Sequence, residues 1–386
     1  MNTTKPSRSA LPERESADPN GAALEPARLV IRLDAIVENF RKVCALASPA
    51  AAAAVVKADA YGCGMKEVAT SLASAGKCES FFVARHSEGM ALRPVLPQAR
   101  IYVLDGAPAD AVPALIAYRL TPVLNSLAEV AAWNAAAAEG GLELDAAIHV
   151  DTGMNRLGMP PAELALLSAE WRKRLSSLRV VLVMSHLACA DDPKSAMNRI
   201  QLERFRTALA LLPPAPASLS SSGGVLLGRE FAFDLVRPGL ALYGGNPQPD
   251  NPNPFGMVVR LTSRVLQLRF VDKGESVGYA ASFRALRPTT IATLALGYAD
   301  GLMRALANRG WVFVLGQRAP IVGRVSMDLM TVDVTDIDGV KVGTEAELLG
   351  DLVSLEDLAQ AAGTASYEIL TSLSRRAERQ YLGAGA

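Results

Sequence analysis

The sequence predicts an α/β chain: an N-terminal (β/α)8 TIM-like barrel followed by a mostly β C-terminal domain. Between residue 30 and about 245, eight short apolar runs alternate with helix-like segments, the pattern of parallel strands joined by helical crossovers. After about residue 255 the texture changes to short alternating runs split by Gly, Pro and Asp, which is β-structure with tight turns. The Pro/Asn-rich stretch "NPQPDNPNP" (246–254) lies between the two. The division is a tail at 1–26, a barrel at 27–255 and a β domain at 256–386.

Taken in order, residues 1–26 are polar, rich in Pro and Ser, and lack the apolar core of a secretion signal; they read as a disordered tail. The strand candidates are "AAAAVVKADA" (51–60), "SFFVAR" (80–85), "RIYVLDG" (100–106), "LTPVLN" (120–125), "LDAAIHVDTG" (144–153), "LRVVLVMSHLA" (178–188), "PASLSSSGG" (216–224) and "FDLVRPGLALYGG" (233–245). Between most of them, apolar residues recur at three- and four-residue steps, as at 34–47, 65–76, 126–141 and 196–212, the helical period. "DAIVE" and "SLAEV" open two of these helices with N-cap residues, Asp34 and Ser126. In the β segment one helix is expected at "SLEDLAQAAG" (354–363). A doubly wound dinucleotide fold is the structural rival. Its fingerprint fails at "GCGMKE", where Glu67 occupies the sixth position.

Lysine plus arginine, 39, equals aspartate plus glutamate, 39, and no basic stretch marks a nucleic-acid footprint, so no nucleic-acid partner is expected. No apolar run reaches the roughly 18 residues of a membrane span. Four cysteines without a CxxC pair fit a reducing, cytoplasmic compartment, and three histidines without HExxH give no metal site.

Lys57 stands at the end of an apolar run, where an ammonium loses solvation. Barrel enzymes draw their catalytic groups from the C-terminal ends of the strands and often seat phosphate after strands seven and eight. That rule gathers Lys57 and Tyr61, Asp151 and Arg156, His186, the serines and glycines of "SSSGG" (220–224), and Arg237 with "PGLALYGG". A desolvated lysine has a lowered pKa and attacks carbonyls. A lysine beside a phosphate cradle is what pyridoxal 5'-phosphate needs. A cofactor-free barrel aldolase using Lys57 directly is the rival of another class, and it leaves the β domain unexplained.

The successive stretches "VVKADAYGCG", "VDTGMNRLGM", "SHLACADD", "VRPGLALYGG", "GESVGYAASF", "GYADG" and "GRVSMDLM" resemble, in order, the signatures of the alanine racemase family, from about residue 28 to 380. The resemblance implies the barrel plus β domain and a homodimer whose sites share residues. It also implies interconversion of L- and D-alanine, supplying D-alanine for peptidoglycan, with a racemase of broader range (serine or other amino acids) as the alternative. On that resemblance Lys57 holds the cofactor as an aldimine and is one base, and Tyr279 reaches across the dimer as the second. Arg237 meets the pyridine nitrogen, and His186 lies between Arg237 and Tyr279. Tyr61, Ser222, Gly239 and Leu240 contact the phosphate. Arg156 and the backbone of Met327 hold the substrate carboxylate and the phenolate region. Three positions depart from the family pattern. His149 stands where many relatives carry a lysine that orients the arginine. Arg375 stands where many place a tyrosine at the phosphate, and Cys63 replaces a commoner histidine or leucine.

Overall fold

The structure, a computed structural model, describes residues 25–383. Residues 1–24, most of the expected tail, lie outside the described residues; Pro26 already accepts a hydrogen bond from the Arg264 N–H at 2.9 Å.

All eight expected barrel strands are found. Ala54–Val55, Ser80–Val83, Arg100–Val103, Thr121–Leu124, Leu144–His149, Leu178–Met184 and Ala217–Ser218 form one parallel sheet in chain order. The eighth strand, Leu235–Val236, pairs in parallel with Ala51–Ala52, and Arg237 N–H donates to the Ser220 carbonyl at 2.9 Å. These bonds join the last strand to both the first and the seventh, which closes the barrel. Each strand is apolar because a parallel strand is covered on both faces.

Helices Leu33–Ala47, Met65–Ser74, Leu127–Glu139 and Ala196–Leu211 occupy the expected crossovers. In the first, Leu33, Ile36, Val37, Phe40, Val43 and Ala47 are buried, a stripe at helical spacing. Ser126 caps its helix, accepting from the Glu129 N–H at 3.2 Å. Asp34 does not: the helix starts from Arg32 without a side-chain cap. The strand Ala27–Arg32 runs straight into the helix, so Asp34 falls in the first turn, where its charge favours the helix dipole instead. Helices His86–Leu92, Val112–Ala117 and Pro161–Arg174 complete the ring.

The second unit is a mixed sheet built around the long strand Val259–Val271. It pairs antiparallel with Glu345–Leu349, Thr289–Leu294 and Ala27–Arg32. Ala27–Arg32, within the stretch assigned by sequence to the barrel, therefore belongs to this sheet, where it also pairs in parallel with Glu378–Leu382. An alternating strand leaves no local mark of which sheet receives it. Residues 246–254 carry no regular element. The expected helix appears as Leu355–Ala362, followed by Ser366–Ser372. Glu356 accepts from the Asn246 N–H at 2.7 Å and from the Ser366 hydroxyl at 3.1 Å, tying both helices to the barrel mouth. One apolar core runs through both units, from Phe81 and Phe82 in the barrel to Val312 and Leu348 in the sheet.

Candidate active site

Strand one ends at Val55, and Lys57 opens a turn in which Ala58, Asp59, Ala60 and Tyr61 all have φ of 53–55°. Such left-handed backbone costs roughly 1–2 kcal/mol per non-glycine residue. It persists because its polar groups are over-determined. Glu88 accepts from the Ala58 N–H at 2.7 Å, and the Asp59 carboxylate accepts from the Met65 N–H at 2.9 Å. Gly62 N–H returns to the Ala58 carbonyl at 2.9 Å, and Gly64 N–H to that of Asp59 at 2.8 Å. Gly62 itself has φ of +82°, and a Cβ there would stand 2.3 Å from the Leu370 carbonyl oxygen, so the C-terminal helix packs on bare backbone.

The Lys57 amine faces a cavity of about 1320 Å³ at the C-terminal ends of the strands. Burial lowers its pKa and the Arg156 charge lowers it further, while Glu88 and Asp105 pull the other way. Arg237 is buried and lines the same cavity. Its guanidinium donates to the Ser185 carbonyl at 2.6 Å and to the Ser218 hydroxyl, and lies 6.0 Å from the Phe82 ring centre. Burial pulls its pKa down to about 9, still above neutrality, so the charge stays.

Arg237 also approaches His186 Nδ1 at 3.4 Å. A guanidinium only donates, so Nδ1 accepts and the His186 proton sits on Nε2. Burial, and then Arg237 and Arg156, push its pKa down to about 3, so the ring is neutral at working pH. His149 is fixed oppositely. The Asn125 amide nitrogen donates to the Leu104 and Val123 carbonyls, which leaves Asn125 Oδ1 to accept from His149 Nδ1 at 2.8 Å. His149 Nε2 is therefore an acceptor. Burial and Arg237 lower its pKa to about 4.

At the opposite end, Ser222 Oγ accepts from the Gly239 and Ala241 N–H groups at 2.9 and 3.1 Å, leaving its hydroxyl proton for a ligand. Of the three adjacent serines, Ser220 turns away to the Phe231 carbonyl at 2.7 Å, and Ser221 and Ser222 line the cavity. Tyr61 stacks on Tyr243 with ring centres 4.7 Å apart, and a Cβ on Gly239 would lie 2.2 Å from the Tyr61 hydroxyl oxygen. Only glycine fits there.

Lys57, Tyr61, Arg156, His186, Ser222, Arg237, Gly239 and Leu240 thus line one cavity. Asp151 is spent on structure: its Oδ1 accepts from the Gly153 and Met154 N–H groups, both at 2.9 Å, folding the loop that presents Arg156. Tyr279 and Met327 lie outside the cavity, on the surface of the second unit, 72% and 53% exposed. Arg375 also lies outside it, pairing with Asp59 at 3.0 Å; the aromatic that segment sends into the cavity is Tyr367. Sequence reading missed Tyr367, though "SYEIL" (366–370) offered the phenol. Cys63 is fully buried behind the turn, which pushes its thiol up to about 12. Among the described residues no cluster of three or more His, Cys, Asp or Glu is arranged to hold a metal, and no helix is long and apolar enough to cross a membrane.

A strand-end lysine, two guanidiniums, two neutral imidazoles and a serine–glycine cradle at a barrel mouth mark an enzyme of the barrel-plus-β-domain class, with a donor set that suits an anionic, carbonyl-bearing cofactor. The family model of the alanine racemase N-terminal domain matches residues 31–247, and that of the alanine racemase C-terminal domain residues 258–381. The alanine racemase of Methylobacterium nodulans is 47% identical, over 92% of this chain and 96% of its own. A catabolic alanine racemase of Agrobacterium fabrum is 46% identical, over 92% of each. The crystal structure of Bartonella henselae alanine racemase with covalently bound pyridoxal phosphate superposes with a TM-score of 0.90 at 40% identity, covering 93% of this chain and 100% of that one. This chain belongs to the alanine racemase family.

Proposed function

We propose that this chain interconverts L- and D-alanine with pyridoxal 5'-phosphate, as a homodimer in which each barrel site borrows a phenol from the partner subunit. The observation that carries the reading is a split. One cavity gathers Lys57, Arg156, His186, Ser222 and Arg237, while Tyr279 stands 72% exposed on the other unit, where a second chain can take it up. The names of the relatives and the pyridoxal phosphate of the Bartonella neighbour support the same reading.

The donor set fits the cofactor, since the Lys57 amine suits an aldehyde and the Gly239 cradle with Ser222 suits a phosphate. When bound, the group supplies an electron-withdrawing ring that acidifies the substrate Cα–H. Lys57 holds it and moves a proton at one face of Cα; burial lowers its pKa, a shift toward the neutral amine that a base requires. Tyr279 of the partner subunit serves the opposite face, and two bases on opposite faces are what inversion demands. Arg237 keeps its own proton, so it can only donate to the ring nitrogen, which limits charge uptake and disfavours side reactions. His186 presents its Nε2–H toward the borrowed phenol. Tyr61, Ser222, Gly239 and Leu240 hold the phosphate. Arg156 and the backbone of the partner subunit's Met327 hold the substrate carboxylate and phenolate region. Supply of D-alanine for peptidoglycan in the cytoplasm completes the proposal, and four free thiols suit that compartment.

The test is direct. Purified protein is yellow, and borohydride bleaches it while fixing the cofactor on the Lys57 peptide by mass. In deuterated water, Cα-proton loss runs faster for D-alanine than for D-serine or D-lysine. A colourless protein without the adduct ends the racemase reading, and faster serine or lysine exchange transfers it to the broader-range alternative.

A further inference from the structure

We propose that Glu88 is a positioning residue for Lys57, clamping the left-handed turn that carries the lysine so that its amine stays aimed into the cavity. The inference rests on the reading of Lys57 given above. Glu88 sits in helix His86–Leu92, after strand two, and is not itself a lining residue of the cavity, although it bonds two residues that are. Its carboxylate accepts three backbone N–H groups: Ala58 at 2.7 Å, Ala84 at 2.8 Å and Arg85 at 3.1 Å. The last two belong to its own strand-to-helix corner and explain only a helix start. The first reaches thirty residues back in the chain, to the amide that follows Lys57.

That amide belongs to the first residue of the strained run, with φ of 53° at Ala58. At an ordinary negative φ for Ala58, the peptide plane that carries this N–H would turn relative to the rest of the run, and the bond to Glu88 would be lost. The carboxylate therefore ties the end of strand one to the end of strand two at the point where the backbone is least content. It acts on the amine in a second way. Lys57 is faced by Arg156, Glu88 and Asp105, and the Glu88 charge holds its pKa up against burial and Arg156.

The test uses full-length holoenzyme and two variants, Glu88→Gln and Glu88→Asp. Glutamine keeps the shape but loses the charge, and has one oxygen for what two oxygens accept. Aspartate keeps the charge and can still serve Ala84 and Arg85, but is too short for Ala58. In both, hydrogen exchange across residues 57–64 becomes about tenfold faster or more, the loss of one charge-assisted bond, while residues 84–92 stay protected in the aspartate variant. The kcat falls by a similar factor with KM for alanine little changed. In the glutamine variant alone the Lys57-linked pH titration moves down, because the negative charge is gone. Adding Ala58→Gly, which adopts positive φ without cost, recovers most of the lost kcat. Unchanged exchange at 57–64 in either variant overturns the clamp, as does a kcat loss that Ala58→Gly leaves untouched. Absence of the borohydride adduct in the unaltered protein overturns the racemase reading instead, and this inference with it.

Discussion

Burial decides the charge state of each imidazole in the site, and this has a measurable consequence. His149 and His186 titrate at about 4 and about 3 in the folded chain, against about 6.5 when unfolded. Above pH 6.5 neither state binds the protons and the full stability is present. As pH falls through 6.5, the unfolded chain takes up protons that the folded one refuses, and stability drops by up to about 1.4 kcal/mol per pH unit per group. The urea midpoint therefore falls between pH 6.5 and 5, and His149→Gln flattens that fall; an identical slope in the variant contradicts a neutral His149. The residue types of the site were legible because each is costly where it stands. A lysine after an apolar strand can snorkel and an arginine inside one can serve an ion pair, but the family stretches around Lys57 and Arg237 outweighed both explanations. Tyr367 was not legible, because a tyrosine on an amphipathic helix reads as packing until the fold aims it. The role of Arg375 was left open by the sequence for a related reason: its pairing with Asp59 is a contact 316 residues away along the chain.

At the scale of elements, strands and most long helices announced themselves by periodicity, whereas the short helices and one long one did not. His86–Leu92 and Val112–Ala117 have too few turns for a stripe to emerge, and Pro161–Arg174 mixes charge around most of its surface. The left-handed turn after Lys57 was hidden altogether. "KADAY" contains no glycine, so local propensity argues against positive φ, and only tertiary bonds from Glu88 and within the Asp59 turn enforce it. The loops after strands seven and eight were legible for the opposite reason, since their glycines mark close approach. At Gly239 a methyl group would press on the Tyr61 hydroxyl at 2.2 Å and on its Cζ at 2.8 Å. Tyr61 cannot retreat, because Tyr243 is stacked behind it. Gly239→Ala therefore displaces the ring and weakens cofactor retention about tenfold or more, the cost of overpacking a rigid site. Dialysis of the variant against cofactor-free buffer, followed by visible absorbance, reads this out. Retention equal to the unaltered protein contradicts the phosphate cradle at this position.

At the scale of the whole molecule, the sheet of the second unit is completed by the first described strand and the last, Ala27–Arg32 and Glu378–Leu382. The barrel is thus inserted between two paired neighbours in the other unit's sheet, Ala27–Arg32 and Val259–Val271, and one continuous core joins the units. Such a constraint limits relative motion of the units, and Tyr279 lies outside its own chain's cavity, so on the proposed function the second base is expected from another chain. This makes two kinds of inactive protein complementary. Lys57→Ala lacks one base and keeps the other to lend; Tyr279→Phe keeps its lysine and lends nothing useful. Mixed and allowed to exchange subunits, they form hybrids in which one of the two sites combines an intact Lys57 with an intact Tyr279. With random pairing, about a quarter of all sites regain activity, although each variant alone has almost none. The D-alanine assay on the re-assorted mixture should show that recovery, and it should vanish when the same mixture is cross-linked before exchange. A mixture that stays as inactive as its parts would mean that Tyr279 serves its own chain or does not serve the reaction at all.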